Sequence, residues 1–413
     1  RNPSLTMRLL IVSHTPHDRA AGRLVGWGPT VRELDYLSAL FDEVVHIAPV
    51  YDGPAPGNAL AYTSPRVRVR AVRPAGGETL AAKFDVARLY PAYAAAIRDE
   101  MGRADAVHVR CPANISLLAL ALLRVARRPE PRWVKYAGNW QPEGPEAWSY
   151  TAQRRWLAAN RHRGVVTVNG RWPDQPSHVY TFNNPSLTDD ELAAGRRAAE
   201  GKRLVQPLEL LFVGALNDAK GVGRVLETAL GLVRRGVAFR LRLLGDGPDR
   251  PRYEAWAASH GLSEVVRFHG WVSRQAVGDY DAAAHFILHP SLSSEGWPKV
   301  LSEAMAYGAV PITSTISSMP QILAAAGAGV SVPAEDVDGA VEAIISYVNN
   351  PERWAAASRA GVAAAPQFGY RAYQNAVRDL FARAWGIELA APEPPAAPVG
   401  SQSLHSSNGH VRR

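Results

Sequence analysis

"HFILHPSLSSEGWPKVLSEAMAYGAVPITS", residues 285–314, reads as a complete strand–loop–helix–strand unit. Its ends, "HFILHP" and "AVPITS", are short apolar runs of the kind that fill strands buried on both faces. Between them Pro298 suits the first turn of a helix, where its missing N–H would have no partner anyway, and Gly308 suits the position just past the helix end. "SLSSEGWP" is then a strand-end loop, and the helix is the crossover that joins two parallel strands.

The same alternation runs along the chain. Candidate strands in the first half are "RLLIVS" (8–13), "EVVHIAP" (43–49), "RVRVRAV" (66–72), "DAVHVR" (105–110), "RWVKYA" (132–137) and "GVVTVN" (164–169), with helical stretches near 29–41, 85–102, 114–127 and 146–162. In the second half "LELLFVG" (208–214), "FRLRLLG" (239–245), "VVRFHG" (265–270) and "AGVSVP" (328–333) join the two runs of the opening segment. Two strand–helix series predict an α/β chain of two doubly wound, Rossmann-like domains, 1–185 and 208–366, facing across a cleft. The polar, turn-rich stretch 186–207 is expected to connect them, a last helix to span 367–386, and the Pro/Ala/Ser-rich segment 387–413 to be disordered.

Composition narrows the class. With 413 residues, 47% of them hydrophobic and 20% charged, the chain has material for two cores. Cys111 is its only cysteine, which excludes an internal disulfide framework and a Cys-rich metal site. No apolar run approaches the roughly 18 residues of a spanning helix and the N-terminus lacks a signal-peptide layout, so a cytoplasmic protein is expected. The net charge of +8 lies in the first half. There "RRWLAANRHRG" (154–164) groups Arg154, Arg155, Arg161 and Arg163 around Trp156. That is the pattern of a peripheral contact with an anionic membrane, and equally of an ordinary amphipathic helix. No nucleic-acid-binding module accompanies the charge, so nucleic acid is not an expected partner.

Ligands of open parallel sheets lie at the carboxyl ends of strands, and chemistry is sought there. Glu295 falls on such a loop and Glu303 about a turn and a half into the following helix, so both can face one ligand. A carboxylate accepts two hydrogen bonds in a fork that matches vicinal hydroxyls. The plainer reading makes Glu303 a solvated helix residue and Glu295 a helix-initiating acid, but the apolar setting of Ala304, Met305 and Ala306 speaks against an idle Glu303. Lys220 precedes Gly221 at another strand end, where an ammonium group and helix N–H groups can hold phosphate, or where a lysine is simply at the surface. The turn "GDGPDRPR" (245–252) is a weak signal. After "RLLIVS", Gly26 and Gly28 bracket Trp27 before a helix start at Pro29 and Thr30, a stretch that either lines the cleft or forms a surface loop. No G-x-G-x-x-G turn with a downstream acid follows either leading strand, which argues against a nicotinamide dehydrogenase.

Taken together these residues resemble glycosyltransferase family 4, retaining sugar-nucleotide-dependent enzymes of the GT-B fold. The likeness is carried by "LLFVGALNDAKGV", "LRLLGDGPDRPRYEAWAASHGLSEVVRFHGWVSRQAV", "HPSLSSEGWPKVLSEAMAYGAVPITS" and "FGYRAYQNAVRDLFARAW", in the family's order and spacing over residues 208–386. The first domain resembles the family only in layout and in its opening strand and loop. The resemblance implies a donor site built from Gly214, Lys220, Val272, Glu295, Gly296, Trp297 and Glu303. In it Glu295 contacts the sugar hydroxyls, Glu303 holds the ribose, Lys220 neutralises the diphosphate, and the backbone of Gly296 and Trp297 cradles sugar and phosphate. Trp271 and Val272 would meet the base, and the last helix would cross back onto the first domain. Lys220 and Glu295 would carry the chemistry. Gly26, Trp27, Gly28, Asn139 and Trp140 would face the acceptor, a glycan, lipid-linked or small molecule of bacterial glycan or glycolipid assembly. A UDP or GDP sugar is the implied donor, with no cofactor and no metal, so that activity should survive EDTA.

The chain departs from the family pattern at three points. Ala215 stands where an Arg usually helps to clamp the diphosphate, leaving Arg224 or a first-domain Arg to substitute, and Pro298 stands where a Gly is usual. In "KYAGNW", Asn139 and Trp140 occupy a region where many members carry a His, so no catalytic base is assigned. An epimerase or phosphorylase of the same fold, or a catalytically silent nucleotide-sugar-binding subunit, are the alternatives.

Overall fold

The computed structural model describes residues 7–20, 22–74, 80–142, 144, 146–293 and 295–392. The first ten strands are β1 Arg8–Val12, β2 His17–Ala20, β3 Arg23–Trp27, β4 Glu43–Tyr51, β5 Ala59–Ala61, β6 Val67–Val72, β7 Ala106–Cys111, β8 Arg132–Tyr136, β9 Val165–Val168 and β10 Val179–Thr181. Helices α1 Gly28–Ser38, α2 Leu80–Met101, α3 Asn114–Val125 and α4 Trp148–Ala158 lie among them. The strands form one sheet in the order β10-β9-β8-β7-β1-β4-β2-β3-β5, with β6 also paired to β4. The second sheet orders β11 Leu208–Val213, β12 Phe239–Leu244, β13 Val266–Gly270, β14 Phe286–His289, β15 Val310–Ser314 and β16 Val330–Val332 as β13-β12-β11-β14-β15-β16, all parallel.

Side-chain alternation explains why these runs are strands and not buried helices. Leu10 and Val12 of β1 point into one core cluster while Leu9 and Ile11 point into the cluster on the opposite face. Likewise Leu210 and Phe212 of β11 enter one cluster and Leu211 the other. A strand buried on both faces needs this period of two with no polar position, hence the unbroken apolar runs in the sequence. Helix α5 (Asp189–Ala199) lies between the sheets, followed by α6 Val222–Arg234, α7 Arg250–Ser259, α8 Arg274–Ala283, α9 Lys299–Ala306, α10 Met319–Ala326, α11 Val337–Val348, α12 Pro351–Ala364 and α13 Tyr370–Trp385. In α6, Val222, Val225, Leu226, Ala229 and Leu232 make the helical stripe that packs on the second sheet.

Helix α13 packs on the first sheet. Its Tyr373, Val377, Leu380 and Phe381 share a core with Leu9, Ile11, Leu34, Leu37 and Trp133. Burial of each such aliphatic or Phe side chain contributes about 1.5–3 kcal/mol. The crossing back of the last helix is therefore part of the first core.

The structure departs from the expectations or adds to them at four points. The stretch after β1 is no loop: β2 pairs antiparallel with β3, with His17 opposite Gly26, and parallel with β4. The connecting stretch 186–207 contains α5, begun by a capping box between Thr188 and Glu191. Pro298 caps α9 from outside rather than occupying its first turn, at φ −68° and ψ 123°. Of the segment expected to be disordered, Leu389 is instead buried in the first core and its carbonyl accepts from Arg378 Nε at 3.1 Å, while residues 393–413 lie outside the described residues.

Candidate functional site at the cleft

The chain runs from β11 to β12 and β13 on one side, then returns to β14, β15 and β16 on the other, so the strand order reverses between β11 and β14. A crevice opens at the carboxyl ends of two strands that diverge in this way. The loops after these two strands hold Lys220 and Glu295. After β11, Asn217 caps a single 3₁₀ turn by accepting the Lys220 N–H at 2.9 Å. Gly221 then takes φ +79°, and an added Cβ there would lie 2.2 Å from the Pro290 carbonyl oxygen. The second loop is laced to this turn, because Leu292 N–H donates to the Ala219 carbonyl at 2.8 Å. The outcome is an ion pair between Lys220 Nζ and Glu295 Oε1. Burial pushes the Lys220 ammonium down to about 8.

Gly296 touches both domains. Its N–H donates to the Ala137 carbonyl at 2.8 Å, at the end of β8, and its carbonyl accepts from Ser318 Oγ at 2.5 Å. An added Cβ would fall 2.3 Å from Asn169 Nδ2. Trp297 is 1% exposed and stacks on Phe368 at 5.2 Å, so its side chain is core while its carbonyl accepts from Asn184 Nδ2 at 3.0 Å. Glu303 is 7% exposed, which removes the reading as a solvated helix residue, and its Oε2 is 2.5 Å from Arg274 Nη1. Gly214 ends β11 beside Gly245, whose added Cβ would lie 2.0 Å from the Gly214 carbonyl oxygen. The turn 245–252 is thus held by close backbone packing. Val272 packs half-buried on the second core, and Trp271 stays 47% exposed beside Gly57 of the first domain.

The residues expected on the acceptor side fare differently. Trp140 is buried and meets Tyr136 edge-on at 5.5 Å, so its side chain belongs to the first core and does not face the cleft. Asn139 is buried and accepts from the Gln141 N–H at 3.1 Å. Gly26 and Gly28 have structural causes: added Cβ atoms would lie 2.6 Å from the His17 ring and 2.3 Å from the Asn58 carbonyl oxygen. Trp27 is partly exposed on the same hairpin. A cavity of about 290 Å³ lies instead where the first sheet reverses order, between β1 and β7. His14, Pro112, Asn114, Tyr93 and Tyr150 are among its walls.

One constellation escaped the sequence reading. Glu33 of α1 is fully buried and accepts from Arg110 Nη1 at 2.7 Å, Lys135 Nζ at 2.6 Å and Lys299 Nζ at 3.0 Å. Lys299 belongs to the second domain and also donates to the Pro29 carbonyl at 3.1 Å. Burial alone would raise the Glu33 carboxyl; Arg110, then Lys135 and Lys299, outweigh it and hold Glu33 well below the usual carboxylate range. Burial pushes Lys135 down to about 7, with Glu33 opposing and Arg110 and Lys299 adding. The signal was present as a charge inside each of two apolar strands, Arg110 in "DAVHVRC" and Lys135 in "RWVKYA".

A stability trend follows from Lys135. Its folded pKa near 7 lies below the unfolded value near 10.4, so between these pH values the unfolded chain holds more protons and stability rises with pH. Melting temperature should climb from pH 7 toward 10. Lys135→Met should flatten that slope, and an unaltered slope in the variant would contradict the assignment.

The basic helix α4 is less outward than its sequence implies. Arg154 pairs with Glu146, and Trp156 is half-buried against the first core under Arg161 at 5.6 Å. No helix among the described residues is long and apolar enough to cross a membrane. Among the described residues no group of three or more His, Cys, Asp or Glu is placed to hold a metal ion.

Fold and site together define the class: two Rossmann-like units with a returning C-terminal helix constitute the GT-B architecture. Solved structures share it. A sucrose-phosphate synthase from Thermosynechococcus elongatus superposes with a TM-score of 0.66 at 18% identity, over 91% of this chain and 98% of that one. Anabaena HepE in complex with UDP and glucose gives 0.63 at 14% identity, over 91% and 99%. The family model described as glycosyl transferases group 1 matches residues 198–363, the part that contains Lys220, Glu295 and Glu303. Among curated relatives, a putative colanic acid biosynthesis glycosyltransferase, WcaL of Salmonella typhimurium, is 36% identical over 137 residues, 32% of this chain and 33% of its own length. A D-inositol 3-phosphate glycosyltransferase of Streptomyces griseus is 27% identical over 211 residues, 47% and 44% of the two chains. The chain thus spans a third to under a half of these relatives' lengths.

Proposed function

We propose that the protein is a retaining glycosyltransferase of the family 4 type, moving a sugar from a nucleoside diphosphate donor to an acceptor hydroxyl. The observation that carries this reading is the convergence of Lys220 and Glu295, with Glu303 on the following helix, at the point where the second sheet reverses order. In the reaction the bond from the sugar C1 to the phosphate oxygen breaks, and the diphosphate leaves with growing negative charge. Lys220 opposes that charge, which stabilises the transition state directly. For the ammonium to reach the phosphate, donor binding must take it from Glu295, freeing the carboxylate to accept from sugar hydroxyls. The acceptor attacks the face the diphosphate vacates, and its proton passes to a donor phosphate oxygen. No protein carboxylate is needed as base, and the reaction needs no metal.

The acceptor, on this proposal, enters the cavity between β1 and β7, and the polar and aromatic walls of that cavity support the reading. Tyr150→Ala should then raise acceptor KM about fivefold, the worth of one aromatic contact, with donor KM unchanged. Equal change in both would move the acceptor elsewhere.

The test of the whole reading is a thermal-shift screen of nucleotide sugars followed by turnover with candidate acceptors in EDTA. A bound donor should raise the melting temperature, and nucleoside diphosphate should appear only with acceptor. Donor isomerised without release of diphosphate would make the protein an epimerase, and binding without turnover would make it a silent subunit.

A further inference from the structure

We propose that Arg274 is a positioning residue for the nucleotide: it fixes the Glu303 carboxylate and, through Glu191, ties it to Arg32 of the first domain. This rests on the reading of Glu303 as the acid that holds the ribose. Arg274 opens α8, and three of its nitrogens are committed. Nη1 lies 2.5 Å from Glu303 Oε2, Nε donates to Glu191 Oε1 at 3.1 Å, and Nη2 donates to the Ser186 carbonyl at 3.2 Å. The other oxygen of Glu191 accepts from Arg32 Nη2 at 2.8 Å and from the Thr188 N–H at 2.8 Å. Arg32 is held in turn, its guanidinium 5.4 Å over the Tyr370 ring, which stacks on Tyr36 at 4.2 Å. The chain of charges therefore runs from α1, through the segment between the domains, to the helix that bears Glu303.

The geometry matters because of what a ribose demands. Two adjacent hydroxyls bind a carboxylate well only when both its oxygens lie in their plane, so a carboxylate free to turn loses the fork. Arg274 holds Oε2 from one side, which limits rotation of the carboxylate and leaves Oε1 and the remaining lone pair of Oε2 to accept. It also stands between Glu303 and Glu191, two acids that would otherwise repel each other. A planar guanidinium can bridge two carboxylates in this way, and an ammonium cannot do so with the same fork. Arg32 donates to the Ser186 carbonyl and to Glu191, and through Glu191 it fixes the anchor of Arg274.

The experiment compares UDP and GDP with their 2′,3′-dideoxy forms by calorimetry, using the full chain as wild type, Arg274→Met, Arg274→Lys and Arg32→Met. The wild type should prefer the ribose form of its nucleotide by about tenfold or more, the worth of hydrogen bonds to a charged group. Arg274→Met should lose most of that preference while its affinity for the dideoxy form changes less than about threefold, Arg274→Lys should recover part, and Arg32→Met should erode it by a smaller factor. Full preference retained in both Arg274 variants, or equal loss for both nucleotide forms, would overturn the proposal. A wild type that binds nucleotide but does not distinguish the two forms would overturn the ribose assignment of Glu303 itself. Should Arg274→Met fail to fold, Arg274→Lys and Arg32→Met carry the same comparison.

Discussion

Lys220→Ala is expected to lower kcat about a hundredfold or more, since one well-placed group aimed at developing charge is worth about 2.7–4 kcal/mol of barrier. The lysine is held for that task by the Asn217 cap and the left-handed Gly221, and its only ion-pair partner among the described residues is Glu295. Both side chains are partly exposed, so breaking the pair should cost little stability, about 0–1 kcal/mol. The signature is therefore a large loss of turnover at an almost unchanged melting temperature. Burial places the ammonium near 8, so kcat/KM, which reports the free enzyme, should decline as pH rises through that value. Lys220→Arg should move the decline beyond reach. A kcat reduced less than about threefold by the alanine would remove Lys220 from the transition state.

Glu33→Gln is expected to be the most destabilising conservative substitution in the molecule. It preserves shape and removes the negative charge that pairs with Arg110, Lys135 and Lys299. Stranding buried charge in this way typically costs about 3–5 kcal/mol, and the melting temperature should drop by roughly 10 °C. With one cation also removed, as in Glu33→Gln/Lys135→Met, part of the loss should return. The sign with pH follows from Glu33 itself. Its carboxyl is held well below the usual range, so its contribution is present above the unfolded carboxylate range and fades only as acid carries the pH through the lower folded value. Unchanged melting in the Glu33→Gln variant would mean that burial of the four charges balances their attraction.

The two sheets were legible because strands buried on both faces leave unbroken apolar runs, and β1 and β11 are such runs. The β2–β3 hairpin was not, since "HDRA" is polar at every position but the last, so alternation there carries no hydrophobic contrast. Helix α5 announced itself only by Thr188 and Glu191, for its sole buried residue is Gly195 and no apolar stripe marks it. The placing of Glu295 and Lys220 on strand-end loops, where they pair, was legible because each stands in a local motif. Glu33 could not be recognised, because its partners come from 77, 102 and 266 residues away and none has meaning until the fold assembles them. Trp140 was misread for a related reason: an aromatic side chain after a strand looks the same in sequence whether it turns inward or toward the cleft.

The seating of α13 has a consequence for how the protein is made. Leu9, Ile11 and Leu34 leave the ribosome long before Tyr373, Val377 and Phe381, which cover them. The amino-terminal half must wait with an apolar flank bare while the carboxyl-terminal half, whose sheet closes on neighbours of its own, can already be folding. Nascent chains halted before residue 370 should therefore be the species that chaperones bind most strongly, and release should coincide with the emergence of the last helix.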